Sequence, residues 1–117
     1  MMNKLLIDPL TKVATSSFRS KLAQYYEVTG TLLFGSRARH THNNESDADV
    51  AVLLKGSSGN FIETKFAMDD LAYDVLLDTG IRIQPLPIWQ WEWDHPEHYS
   101  NPQLLKNIKK DGVSLDA

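Results

Sequence analysis

Four residues have types and spacing that suit phosphate chemistry: Gly35, Ser36, Asp47 and Asp49. Gly35 closes the apolar run Thr31-Leu32-Leu33-Phe34, and Ser36 follows it. A glycine there lets backbone approach a ligand closely. The free N–H groups of a short turn, together with the Ser36 hydroxyl, can hold phosphate oxygens. After a spacer of ten residues beyond Ser36, Asp47-Ala48-Asp49 leads into Val50-Ala51-Val52-Leu53-Leu54. Side chains alternate faces along a strand, so Asp47 and Asp49 project to one side, roughly 6–7 Å apart along the backbone. Two converging carboxylates favour a hard divalent cation, magnesium or manganese, shared with substrate phosphates. A phosphate cradle beside metal-binding carboxylates is the minimum equipment for phosphoryl or nucleotidyl transfer.

The bland alternative is a tight turn followed by an acidic pair at a loop mouth. Against it, Asp49 lies inside the strand, where aspartate is disfavoured. A residue that breaks local preference calls for a functional reason. Arg37 and Arg39 flank the turn. Arginine suits planar oxyanions, so either could clamp a triphosphate or sit solvated on the turn. The position favours a phosphate role for Arg39 and leaves Arg37 open. His40, His42, His95 and His98 fall in polar stretches. They read as surface residues and not as a zinc site.

The elements that position these residues follow from periodicity. Asp8-Pro9 is an N-cap with proline in the first turn. Leu10, Val13, Ala14, Phe18, Leu22 and Tyr25 recur at helical spacing to about Tyr26. Gly30 reads as a break, Thr31 to Gly35 as a strand, Ser36 to His40 as a helical turn and Asp47 to Leu54 as a second strand. Val50 and Val52, with Ala48, belong to the face opposite the aspartates. Gly56 to Asn60 is a loop. A helix is expected over Phe61 to Thr79, with Ile62, Phe66, Leu71, Val75 and Leu76 as core contacts and Gly80 as its cap. Ile81 to Leu86 alternates as a third strand, and Pro85 places it near an edge or an end. Pro87 to Pro96 is a Trp-rich connector. Trp93 there is expected to seal the core edge, and a Trp interface patch is the weaker reading. Asn101-Pro102 opens a last helix that Gly112 ends, and Val113 to Leu115 adds a short strand. The order predicts an α+β (two-layer α/β) fold, a small mixed sheet with helices packed mainly on one face.

Size and composition bound the rest. The chain's 117 residues suit one domain, 1–117, with one core. A net charge of −3 and a pI of about 5.7 argue against a general nucleic-acid binder. The absence of cysteine excludes disulfides and thiolate metal sites. The apolar run at Met1 to Asp8 is too short for a signal peptide or a membrane span, so a cytoplasmic protein without a membrane role is expected.

The joint pattern Gly35-Ser36, spacer, Asp47-x-Asp49, with apolar strands on both sides and the G-S-R-A-R form at 35–39, resembles the DNA polymerase beta-like nucleotidyltransferase superfamily, and within it the minimal nucleotidyltransferases. The resemblance is strong from about Thr31 to Leu54. It implies a palm-like fold that binds ATP with magnesium and transfers AMP to a hydroxyl, with Gly35, Ser36 and Arg39 at the phosphates and Asp47 and Asp49 at the metal. Active members carry a third carboxylate on a neighbouring later strand. The nearest side chain here is Gln84, which has no charge and accepts a proton poorly. Asp74 and Asp78 lie earlier, on a helix, and are expected to face solvent. Short members resemble the antitoxin half of pairs with a helical HEPN-type toxin, where AMP is placed on the partner's tyrosine. Two alternatives remain: an inactive module that masks its partner, and an aminoglycoside-type small-molecule enzyme. The sequence leaves a homo-oligomer open.

Overall fold

The computed structural model describes residues 7–116. The first six residues, which hold most of the N-terminal apolar run, lie outside them. Helix α1 (Pro9–Leu22) is capped by Asp8, whose carboxylate accepts from the Thr11 N–H at 3.0 Å. Strand β1 (Val28–Phe34) leads through Gly35 into the single turn α2 (Ser36–Arg39), and β2 (Ala48–Leu54) follows a polar loop. Helix α3 (Phe61–Thr79) starts at the Asn60 cap and ends at Gly80, in the left-handed conformation with φ 81°. Strand β3 (Ile83–Trp89), short helix α4 (Gln90–Asp94), a 3-10 turn at Pro96–His98, α5 (Pro102–Asp111) and β4 (Val113–Ser114) complete the chain.

The sheet order is β3-β2-β1-β4. Strand β2 pairs antiparallel with β1 and parallel with β3, so the sheet is mixed, as expected. Ala48, Val50, Val52 and Leu54 point to the face covered by α1 and α3 and form the main core with Phe18, Leu22, Met68 and Val75. Ala51 and Leu53 point the other way, into a smaller core with Ile88, Leu105 and Ile108 of β3 and α5. The helices lie mainly on one face, and α5 adds a partial second layer.

Four expectations need correction. The buried face of α1 is Thr11, Ala14, Thr15, Phe18 and Leu22, whereas Leu10, Val13 and Tyr25 are exposed. Two threonines replace the apolar residues there: Thr15 donates its hydroxyl back to the Thr11 carbonyl at 2.9 Å. On α3, Ile62 and Phe66 are exposed, and Met68 and Ala72 take their places in the core. Gly30 does not break the chain before β1; it lies inside that strand, at a register shift opposite β2.

The fourth correction concerns β3, which runs on through Pro87 to Trp89 where a connector was expected. Pro85 and Pro87 share parity, so their missing N–H groups point to one side. Because β3 pairs with β2 along its whole length, that side is the outer edge, where proline is tolerated. Of the three tryptophans, Trp89 is buried in the main core. Trp93 packs against the smaller core beneath Lys109, as the core-edge reading requires. Trp91 stacks on the His95 ring at a centroid distance of 4.6 Å.

Candidate active site

The site is built where β1 ends beside the start of β2. Phe34 is the register partner of Asp49, so the next residue, Gly35, passes directly over the Asp49 side chain. Gly35 adopts φ 74°, and a Cβ there would collide with Asp49 Oδ2. Glycine is thus required twice, for the backbone angle and for the close approach. Its carbonyl accepts the N–H groups of Ala38 and Arg39, each at 3.1 Å, which starts α2. Ser36 heads that turn, half-buried, with its hydroxyl in no hydrogen bond among the described residues.

Asp49 shares the α5-side face with Ala51 and Leu53. Its carboxyl is held above the usual carboxylate range. Burial is the first cause and the charge of Asp47 the second, with Arg39 opposing both. Asp47 stands one residue ahead of β2. Its Oδ2 accepts from Gln84 Nε2 at 3.3 Å, and its Oδ1 lies 3.9 Å from Arg82 Nε. Gln84 is the direct register partner of Asp49 on β3. The structure therefore brings Gly35, Ser36, Asp47, Asp49, Arg39 and Gln84 to one end of the sheet. Among the described residues, no group of three or more His, Cys, Asp or Glu side chains is placed to hold a metal ion.

The donor set still suits a hard cation. Two carboxylates repel, one of them half-buried, and a divalent ion would relieve both penalties. The Gln84 amide, turned over, would present an oxygen to the same point. Arg39 and Asp49 also line a cleft of about 170 Å³ whose far wall is Leu104, Asn107, Ile108 and Asp111 of α5. Sequence reasoning missed this wall. Its signal was present, since those four residues have the spacing of one helical face, and polar Asn107 and Asp111 interrupt an otherwise apolar stripe.

Arg37 takes a different role from Arg39. It is 3% exposed and points away from the cleft. Its Nε donates to the Ser46 carbonyl at 2.9 Å and its Nη1 to Thr11 Oγ1 at 2.8 Å. Nη2 reaches the Asn43 carbonyl at 3.3 Å. Arg37 thus ties the 40–46 loop, and with it the approach to Asp47, onto α1. His42 joins the same knot, with Nε2 at 3.0 Å from Asp8 Oδ2, and is not the surface residue expected. Burial alone would raise the Asp8 pKa, but hydrogen bonds from Thr11, with His42 and Arg37 nearby, hold it below its ordinary value. Asp74 and Asp78 are exposed on α3, as expected.

Comparison with solved structures finds the same fold at low identity. A candidate nucleotidyltransferase from Sulfolobus solfataricus superposes with a TM-score of 0.52 at 19% identity, over 96% of this chain and 81% of that one. A toxin–antitoxin structure with AMP-PNP superposes with a TM-score of 0.58 at 20% identity, over 92% of this chain and 72% of that one. No curated protein matches the sequence. The family model for polymerase beta nucleotidyltransferases matches residues 17–86, more than half of the chain. That match runs from α1 through the glycine turn and both aspartates to the Gln84 strand, and the chain belongs to the polymerase beta nucleotidyltransferase family.

Proposed function

We propose that this protein binds ATP with magnesium between Gly35, Ser36, Arg39, Asp47 and Asp49, and transfers AMP to a hydroxyl of a helical HEPN-type partner, as its antitoxin. The observation that carries the reading is the contact of Gly35 on Asp49. It sets a phosphate-accepting turn directly against a carboxylate that burial and Asp47 hold in an unfavourable charged state. Ser36 and the first N–H groups of α2 hold outer phosphate oxygens, and Arg39 neutralises them. Asp47 and Asp49 would hold magnesium, which when bound draws charge from the phosphates and lowers the pKa of the acceptor hydroxyl. The acceptor oxygen gives up its proton to water and bonds to the α-phosphorus as the bond from that phosphorus to the α–β bridging oxygen breaks, and pyrophosphate leaves with that oxygen. The toxin–antitoxin neighbour with AMP-PNP supports both the nucleotide and the protein partner.

The test incubates the chain with labelled ATP, magnesium and a purified HEPN-type partner, and weighs the partner. Added AMP that depends on Asp47 and Asp49 is the expected result. Gln84 favours a second reading, since it stands in register with Asp49 where a third carboxylate would accept the hydroxyl proton. On that reading the chain binds nucleotide and masks its partner without transfer. ATP binding and neutralisation with no change in partner mass would select it.

A further inference from the structure

Helix α3 is apolar on two separate faces. One face, Met68, Ala72 and Val75, is buried in the main core. The other carries Ile62, Phe66, Tyr73 and Leu77, which are 59%, 64%, 58% and 66% exposed. Ile62 to Tyr73 and Phe66 to Leu77 are each eleven residues, close to three whole turns. The four side chains therefore form a ridge about 22 Å long on the solvent side of the helix, turned toward the flank that carries Asp69. A soluble helix normally presents polar residues there, and an apolar patch of this kind marks a contact surface.

The charges beside the ridge specify what covers it. Glu63, Asp70, Asp74 and Asp78 follow one flank at helical spacing. On the other flank the sole base of the helix, Lys65, is already held by Asp69 at 2.8 Å. A second copy of the chain fits poorly. An antiparallel pair of α3 helices would stack the two acidic flanks together, and a parallel pair would offer each flank only the neutralised lysine. An anionic membrane is repelled for the same reason.

We infer that the outer face of α3 is the docking surface for a partner protein helix with an apolar face flanked by lysine and arginine. Helix-on-helix docking reads such anchors directly, and the opposed charges fix the orientation of the pair. The ridge is joined to the acidic pair. Tyr73 also lines a cleft of about 220 Å³ with Asp69, Arg82 and Gln84, and Arg82 and Gln84 are the two residues beside Asp47. The inference rests on the proposed function only in naming that cleft as the way in for the partner's acceptor side chain.

The test uses fluorescence anisotropy with two labelled 20-residue helical peptides. Both have a Leu/Ile face; one carries Lys and Arg flanks and the other Glu flanks. The basic peptide should bind saturably and the acidic one should not. Phe66→Ser with Leu77→Ser should weaken binding at least tenfold, and Asp70→Lys with Asp74→Lys should reverse the preference between peptides. All these positions are exposed, so melting temperature serves as the folding control. Equal binding by wild type and the ridge variant overturns the inference. So does failure of the basic peptide to bind, or sedimentation showing a dimer that the ridge variant abolishes. The stabilisation by magnesium and ATP is measured in parallel and should be equal in every variant. Its absence from a wild type that binds the basic peptide sinks the nucleotide reading and leaves the docking surface standing.

Discussion

Asp49 is the residue where the site's electrostatics can be measured without substrate. Its folded-state pKa lies above the ordinary 3.8, first through burial and then through Asp47. The folded protein therefore holds that proton more tightly than the unfolded chain. The sign is opposite to that of a salt-bridged aspartate: stability is lost as pH rises from 3.8 through the raised value. Asp49→Asn should raise the melting temperature of the cation-free protein at pH 7, and the gain should vanish below roughly pH 4, where both side chains are neutral. A lower melting temperature at pH 7 would contradict this account. Gly35→Ala acts on the same carboxylate from the other side. The left-handed backbone angle and the collision with Asp49 should together cost about 1–3 kcal/mol in urea unfolding and remove the nucleotide-dependent stabilisation. Ser36→Ala, which removes one hydroxyl, should weaken ATP binding only modestly. Gln84→Glu should lower cation-free stability by adding a third like charge, and raise magnesium affinity and any AMP transfer. Unchanged magnesium affinity would remove Gln84 from the site. Asp49 stood out because aspartate is disfavoured inside a strand, and Gly35, Ser36 and Asp47 stood out by their spacing from it. Arg37 was not, since nothing in a turn sequence shows that its partners are carbonyls of the following loop and a threonine of α1.

At the scale of elements, the Arg37 knot makes a specific demand. The 40–46 loop carries the chain from the glycine turn to Asp47, and its described attachment to α1 passes through Arg37, Asp8 and His42. Arg37→Ala should destabilise by about 1.5–3 kcal/mol, the usual worth of hydrogen bonds to a charged group. Arg37→Lys should recover little, because an ammonium cannot span the same fork of acceptors. Arg39→Ala should leave stability within about 0.5 kcal/mol, as exposed substitutions do, and should weaken ATP binding instead. Equal losses of stability at 37 and 39 would overturn the division of roles. Strand β2 and the bounds of helices α3 and α5 were readable because caps, turn residues and periodicity agree there, whereas β1 was started three residues late because Gly30, inside the strand, read as a break. Helix α1 misled because threonines that hydrogen-bond back to their own helix pack as well as apolar residues. The apolar ridge of α3 misled in the opposite direction, since a hydrophobic residue at helical spacing does not say which face is solvated. Strand β3 was cut short because proline reads as a breaker until its outward direction is known.

For the whole molecule, the site is a meeting of sequence-distant segments, and binding should therefore report on folding. Magnesium and ATP together should raise the melting temperature, through a stabilisation of about 2.7 kcal/mol at a hundredfold excess over Kd, and neither alone should do so. Asp47→Asn with Asp49→Asn should abolish the rise. A full shift in that double variant would remove the carboxylates from the site. The α5 wall of the cleft escaped sequence reading because Asn107 and Asp111 meet Arg39 and Asp49 only through the packing of α5 on the second sheet face. The two outward prolines of β3 have a consequence at this scale as well. An open strand edge is a template on which other chains can add. Along β3 that template lacks two donors in succession, so strand addition and fibril-like stacking are blocked on the side nearest the acidic residues. Association there must proceed through side chains, and the protein can work pressed against a partner without its sheet being extended along β3.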